Sequence, residues 1–346
     1  LLLLGLLMIY STTLEAGSGL MLRQVIFATI GLAALFALAF YDYRNLKKTT
    51  AWLYSAIVLA LIYVYFFSTA IRGSSRWIDL GFFQLQPAEF AKLFMVVIMA
   101  KFLDKSGEKL KSFHYVLLSA VYVGIPALLI LIEPDLGSSV VIVGTWLAML
   151  FFSPMKKKQI MILIGILIVM LALAWNFALH DYQKQRVFTF LNPQTDPAGS
   201  GYNAIQSIIA VGSGGLWGRG LGRGFQSQLK FLPERQTDFI FASTAEELGL
   251  LGSMVVLGLF FVIFYRLIKV VKSARDNFGM YLSLGIFFMF LIQVLINIGM
   301  NIGVVPVTGI PLPLLSYGGS SLITTFLALG VIQSIVARSK AVKFRG

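Results

Sequence analysis

Cysteine is missing from this 346-residue chain. No disulfide framework or cysteine metal site can form, and redox chemistry says nothing about the compartment. Charge is scarce. Only 12% of residues are Asp, Glu, Lys or Arg, about half the roughly 25% usual in soluble proteins. That is too little to coat a soluble globule of this size, and no separate soluble domain stands out. The alternating segments of about ten residues that mark an outer-membrane barrel are absent. No Gly-Lys-Ser/Thr follows the glycine-rich stretch at 212–224 and no strand precedes it, which excludes a Walker A loop. No strong inverted repeat of the transporter kind is visible, although Pro126 and Pro306 are placed to kink their segments. The opening run Leu1–Met8 lacks a charged leader and a small-residue cleavage site. It reads as a first helix that has lost a few residues, not as a whole signal peptide.

Apolar residues fill the space that charge leaves. They make up 58% of the chain, and mean hydropathy is +0.84. Apolar runs near the length that crosses about 30 Å of hydrocarbon recur throughout. They predict ten spans, at 1–14, 20–41, 51–68, 87–103, 115–132, 136–153, 159–178, 239–265, 279–301 and 314–336. The fold class is therefore an all-α polytopic membrane protein. It forms one domain over 1–346, with ten transmembrane helices and a long extracytoplasmic loop, 179–238, between helices 7 and 8. The formal charge of +13 would suit nucleic acid, but its distribution does not. Short loops around 44–48, 101–111, 156–158 and 266–275, with the tail at 338–345, hold eighteen of the 28 Lys and Arg residues. All fall on one side of the alternating topology. The positive-inside rule makes that side cytoplasmic, with both termini inside. The charge is a topology signal and an attraction to anionic lipid, with no nucleic-acid partner.

Chemical variety concentrates on the other side. Asp238 stands where a polar loop runs into the apolar segment Phe239-Ile-Phe. A carboxylate in such a place costs about 2.5–3.5 kcal/mol near the bilayer centre, and less toward the interface, so it is a functional candidate by default. Arg72 and Arg76 beside Trp77 suit a phosphate, which Arg grips with two parallel donors, or else form an interfacial anchor. Glu89 and Lys92, three apart at the start of a span after Pro87, can pair on one helix face. A structural ion pair is the plainer account of them, and a catalytic role is the alternative. In Glu133-Pro-Asp135-Leu-Gly137, Asp135 either caps the next helix or joins Glu133 in holding Mg²⁺, Mn²⁺ or a sugar hydroxyl. Seven glycines between 212 and 224 leave room for backbone amides to cradle phosphate, with Arg219 and Arg223 adding charge; tight surface turns are the alternative. Ser316-Tyr317-Gly-Gly-Ser-Ser opens the last span, either as an anion site or as a helix cap.

Taken together these stretches resemble the shape, elongation, division and sporulation family of peptidoglycan glycosyltransferases. The matching residues are Arg76-Trp77, Gln86-Pro-Ala-Glu89-Phe-Ala-Lys92, Glu133-Pro-Asp135-Leu-Gly, Gly201-Tyr-Asn, Gly212-Ser-Gly-Gly-Leu-Trp-Gly-Arg-Gly, Phe231-Leu-Pro-Glu-Arg-Gln-Thr-Asp238-Phe and Pro311-Leu-Pro-Leu-Leu-Ser-Tyr-Gly-Gly-Ser. They run in the family order along essentially the whole chain. Leu232-Pro-Glu-Arg235 and Gln206-Ser-Ile-Ile-Ala-Val-Gly-Ser-Gly-Gly resemble the elongation-type branch more than the division type. Gln236 departs from the histidine usual before Thr-Asp.

The resemblance implies a transferase that polymerises lipid II into β-1,4-linked glycan at the outer leaflet of the bacterial inner membrane, with inversion, for elongation and rod shape. It implies Asp238 as general base, its carboxyl raised toward working pH by desolvation. It makes Arg76, Arg72, Arg219, Arg223 and Arg235 candidates for the pyrophosphate, with Trp77, Ser316 and Tyr317 beside the substrate. Glu89 with Lys92 resembles the family's buried pair near the cavity, and Asp135 is a second acidic candidate and metal ligand. It implies Mg²⁺ or Mn²⁺, no organic cofactor, the undecaprenyl-linked glycan as co-substrate, and a class B penicillin-binding transpeptidase as partner. A flippase for the same precursor is the competing class, since transporters also bury ions. It needs a polar path through both leaflets, whereas the polar residues here cluster on one side. A bare scaffold gives no reason for the desolvation cost at Glu89, Lys92 and Asp238.

Overall fold

The computed structural model describes residues 1–13, 19–68, 76–79, 81, 83–177, 184, 188–192 and 200–340. Its helices are α1 (Leu2–Thr12), α2 (Gly19–Phe40), α3 (Leu46–Phe67), α4 (Pro87–Ser106), α5 (Phe113–Ile132), α6 (Leu136–Phe151), α7 (Lys157–Phe177), α8 (Ser200–Ser213), α9 (Phe225–Gln228), α10 (Ile240–Ser273), α11 (Asn277–Asn301) and α12 (Gly319–Lys340). Each expected span meets a helix, but not every one is long enough to cross a membrane. Among the described residues, six segments are long and apolar enough to cross a membrane: Gly19–Phe40, Tyr43–Phe67, Phe113–Ile132, Ile240–Ser273, Asn277–Asn301 and Gly319–Ser339. Leu2–Thr12 and Leu136–Phe151 are apolar but shorter. These helices are apolar around their circumference because their outer faces meet lipid. Phe40, Trp52 and Phe66 stand at least 70% exposed, which no soluble monomer tolerates over so wide a surface.

Helices α4, α11 and α12 form the centre. α11 packs on α4, α6 and α10; α12 lies along α2; α3 packs on α4. Lipid supplies no hydrophobic drive between helices, so close contact comes from small residues. A Cβ at Gly330 of α12 would lie 2.7 Å from the Leu35 carbonyl of α2. At one end of the bundle, ion pairs fasten the connections: Arg44 Nε to Asp276 at 3.1 Å, Lys47 to Asp104 at 2.8 Å and Arg338 to Asp42 at 3.4 Å. The opposite end is where α10 and α12 begin and α11 ends. There a small antiparallel hairpin pairs Ile78 with Leu85 and Asp79 with Gln84. Ser320 accepts the Gln86 amide at 2.9 Å and so ties this hairpin to α12.

The sequence predicts a single span over 239–265; the helix runs on to Ser273 and is broken at Gly249, with φ 67° and ψ −165°. The glycine run supplies what the break takes away. Leu250 and Leu251 donate to the Gly215 and Leu216 carbonyls instead of to Glu246 and Glu247. The Glu246 and Glu247 carbonyls in turn accept the Arg219 and Gly220 amides at 3.0 and 2.9 Å. Two amides and two carbonyls at the break are thus paired, as buried backbone requires. The two chains approach so closely that a Cβ at Gly218 (φ 79°) would sit 2.2 Å from the Glu247 carbonyl.

Candidate active site

Asp238 sits one residue before Phe239, the residue that precedes the first turn of α10. Phe239 has no side chain able to cap the helix, and none does so locally. The neighbouring helix does it instead. Asn301, at the end of α11, accepts the Ala242 amide on Oδ1 at 2.9 Å. The Asp238 carbonyl receives the side-chain amides of Asn297 and Asn301 at 3.0 and 3.1 Å. Asn297 also donates to the Ile310 carbonyl at 2.8 Å, which holds the irregular segment 302–318 against the same spot. There Gly309 turns with φ 74°, and a Cβ on it would lie 3.3 Å from Asp238 Oδ2. The carboxylate therefore lies against the Gly309 turn, half-buried.

Ser316 and Tyr317 fasten this segment. The Ser316 hydroxyl donates to the Thr237 carbonyl at 2.6 Å and accepts the Leu312 amide at 2.8 Å. The Tyr317 amide donates to the Gln236 carbonyl at 2.8 Å. Gln24 of α2, 1% exposed, brackets both with 3.2 Å bonds to the Ser316 carbonyl and the Gly318 amide. Burial pushes the Tyr317 hydroxyl above its ordinary pKa, with Arg23 opposing. The last helix starts at Gly319, beyond Ser316 and Tyr317.

On the far side of residues 308–310 lies the turn 133–137. A Cβ at Gly137 would meet the Thr308 carbonyl at 3.0 Å. Asp135 caps α6: Oδ1 accepts the Ser138 amide at 3.0 Å, and Oδ2 accepts the Ser138 hydroxyl at 2.9 Å and Gln86 Nε2 at 3.1 Å. Arg76 donates to the carbonyls of Glu133, at 3.0 Å, and of Pro134. The Glu133 carboxyl, 2% exposed, has no hydrogen-bond partner on either oxygen among the described residues. Burial, reinforced by the Asp135 charge and opposed by Arg76, pushes its pKa up to about 8. Among the described residues no group of three or more His, Cys, Asp or Glu could hold a metal ion. With both Asp135 oxygens engaged, the donor set does not assemble the Mg²⁺ or Mn²⁺ site that the sequence suggests.

Glu89 and Lys92 pair at 2.7 Å with both residues 2% exposed. Lys92 borders a cavity of about 10 Å³ lined by α4, α5 and α6 side chains, Thr145 and Trp146 among them. That is near the smallest space that holds a water. This is the ion pair the sequence suggests, set among helices rather than on an open face.

The amides of 219, 220, 222 and 223 in the glycine run bond within the protein. That corrects the expectation that they cradle phosphate: 219 and 220 serve the broken helix α10, 222 bonds Ser11 and Glu247, and 223 closes a turn on Gly220. The side chains of Arg219 and Arg223 are exposed, and Arg219 Nε reaches the Ser213 carbonyl at 3.3 Å. Arg235 is 7% exposed and donates to the carbonyls of Ser227 and Gln228. Trp77 is half-buried beside the hairpin, and Arg72 lies outside the described residues. Glu246 and Glu247, both 0% exposed, escaped the sequence reading. Glu246 accepts the amides of Gln226 at 2.7 Å and Ser227 at 3.0 Å. Glu247 accepts Gln228 Nε2 at 3.1 Å and the Gly222 amide at 3.2 Å, and bonds the Ser11 hydroxyl. Asn297, Asn301 and Gln24 were missed as well. The rule that singled out Asp238, a polar side chain set in an apolar span, points to all of them.

This is a multi-pass membrane protein whose polar machinery gathers at one end of a helical bundle, around an aspartate held between two helices and an irregular segment. The chain belongs to the FtsW/RodA/SpoVE family, described as "Cell cycle protein", which it matches over residues 1–341. It is 38% identical to peptidoglycan glycosyltransferase MrdB of Escherichia coli (strain K12) over 93% of this chain and 87% of that protein. It is 39% identical to stage V sporulation protein E of Bacillus subtilis (strain 168), over 98% and 95%. Its fold resembles a chain solved in work described as "Structural coordination of polymerization and crosslinking by a peptidoglycan synthase complex" (TM-score 0.83, 32% identity, 98% of this chain and 95% of that one). It also resembles the rod shape determining protein RodA of Thermus thermophilus (TM-score 0.73, 28% identity, 98% and 94%).

Proposed function

We infer that this chain is a peptidoglycan glycosyltransferase that polymerises lipid II into β-1,4-linked glycan with inversion, in the elongation branch of the family. The observation that carries the reading is the Asp238 carboxylate, seated against the Gly309 turn at a helix start that three other segments hold in place. In the proposed step Asp238 removes the proton from the acceptor 4-hydroxyl. The freed oxygen attacks the anomeric carbon of the donor, the carbon–oxygen bond to the diphosphate breaks, and its electron pair leaves with the undecaprenyl diphosphate. Positioned proton transfer supplies about 10²–10⁴-fold of the rate. Stabilising the departing charge requires fixed cations. Arg76, held at the 133–134 turn, and the exposed Arg219 and Arg223 are assigned that part, with Arg72 and Trp77 beside Arg76. Arg235, Ser316 and Asp135 fasten the surrounding loops, Tyr317 borders the site, and the Glu89–Lys92 pair lies buried within α4.

The site is placed at the outer leaflet of the bacterial inner membrane, with ten crossings, both termini in the cytoplasm, and the ion-paired, basic end of the bundle facing inward. The undecaprenyl-linked glycan is the second substrate, and a class B penicillin-binding transpeptidase is the proposed partner. No step is routed through Mg²⁺ or Mn²⁺.

Proteoliposomes loaded with lipid II separate the two function classes. The transferase reading predicts long glycan on gels of the reaction. Transbilayer movement of the lipid with no polymer formed would establish the flippase instead.

A further inference from the structure

The geometry points to Asn297 and Asn301 as positioning residues for Asp238, two amides on α11 that fix both the aspartate and the surface its carboxylate rests on. The inference rests on the reading of Asp238 as the base. Both asparagines are 0% exposed in the last turns of an apolar helix. Each buried amide left unpaired there would cost about 1–3 kcal/mol, and an Ala or Leu would pack the position without that risk. The donors are fully employed. Asn297 Nδ2 serves the Asp238 and Ile310 carbonyls, and Asn301 Nδ2 serves the Asp238 and Asn297 carbonyls, at 2.8 to 3.1 Å.

The arrangement divides the work between them. Asn301 supplies α10 with the cap that Phe239 cannot, through the Ala242 amide, and so sets where the helix starts. Asn297 bridges the Asp238 carbonyl to Ile310, the residue after Gly309, and so sets the distance between the carboxylate and the turn beside it. A misplacement of about 1 Å at a reacting group costs about 100-fold in rate, and these two side chains hold that tolerance.

The test uses full-length protein in proteoliposomes with lipid II, normalised to monodisperse protein. Asn297→Ala and Asn301→Ser are expected to lower kcat 10- to 100-fold with KM within twofold. Asn301→Asp keeps the acceptor for Ala242 but loses both donors and sets a negative charge beside Asp238. A neighbouring like charge makes a carboxyl harder to ionise, so the acid limb of its pH–rate profile moves to higher pH. A loss of folded molecules cannot shift that midpoint. Near-parental kcat in Asn297→Ala and Asn301→Ser, with an unmoved acid limb in Asn301→Asp, overturns the inference, provided Asp238→Asn is inactive. A fully active Asp238→Asn overturns the underlying assignment of the base instead.

Discussion

Glu133→Gln isolates a buried proton. The carboxyl is 2% exposed, neither oxygen has a hydrogen-bond partner among the described residues, and the adjacent guanidinium of Arg76 is spent on backbone carbonyls. Its pKa rises from 4.5 to about 8, chiefly because burial disfavours the charged form. The folded protein keeps this proton up to pH 8, while the unfolded chain releases it near 4.5. Where the native state binds more protons, stability falls as pH rises. The loss therefore begins near pH 4.5 and is complete above pH 8. At about 1.4 kcal/mol per pH unit the interval amounts to about 5 kcal/mol, an upper figure because water penetration and relaxation reduce it. Glutamine keeps the shape and has nothing to titrate. Apparent melting temperature in detergent, followed by tryptophan fluorescence from pH 5 to pH 9, reads the difference. The two proteins are expected to melt together at pH 5, and the variant to melt higher at pH 9. Curves that stay parallel throughout would show that Glu133 is ionised, or solvated, over the whole range.

The Glu89–Lys92 pair invites a cycle. Lys92→Met leaves a buried carboxylate alone and is expected to cost about 3–5 kcal/mol, with the Glu89→Gln/Lys92→Met double variant recovering most of it. Melting temperature measures both, and parental glycan synthesis by the double variant confines the pair to structure. Gly218→Ala places a methyl 2.2 Å from the Glu247 carbonyl at φ 79°, and is expected to cost at least about 1–3 kcal/mol by strain alone. Gly258→Ala, with nothing within 4 Å inside α10, is expected to leave melting unchanged or raise it by about 0.5–1 kcal/mol equivalent.

Hydropathy made the helical membrane class legible because lipid demands apolar length, which composition records directly. Helix ends were less legible. The sequence predicts the last span from residue 314, but 314–318 form an irregular, turning fastener held by Thr237, Gln236 and Gln24, contacts distant in sequence that no local pattern encodes. The break at Gly249 has the same origin. One glycine in an apolar run looks tolerable, and only the arrival of Gly215–Gly220 alongside it makes the broken ladder stable. Of the candidate site, Asp238, Arg76 and the Glu89–Lys92 pair were visible as charge in apolar surroundings. The asparagines that hold Asp238 carry no charge and lie in a helix read simply as a span. The adjacent carboxylates Glu246 and Glu247 were legible by the same rule and were passed over. They anchor α9 and the loop leading to Asp238 through backbone amides, not through cations.

The polar contacts have a common direction. Helix α10 begins at Ile240, two residues after Asp238, and is broken at Gly249, and the segment between is bound on one side by Asn301 and on the other by the glycine run. That short half-helix carries Glu246 and Glu247 inward and presents Asp238 at its start. Such irregular backbone at membrane depth survives only where protein or a wet cavity satisfies its groups. Here it builds a rigid seat for one carboxylate beside the Gly309 turn, with Arg76 beyond it at the 133–134 turn.

The most direct measurement is glycan chain growth from lipid II by the parent protein and by Asp238→Asn, in the same proteoliposomes at saturating substrate. The account predicts long polymer from the parent and a fall of at least about 100-fold in the variant, the share of the rate owed to a positioned base, with melting temperature preserved. Polymer of parental length at parental rate from Asp238→Asn would contradict it.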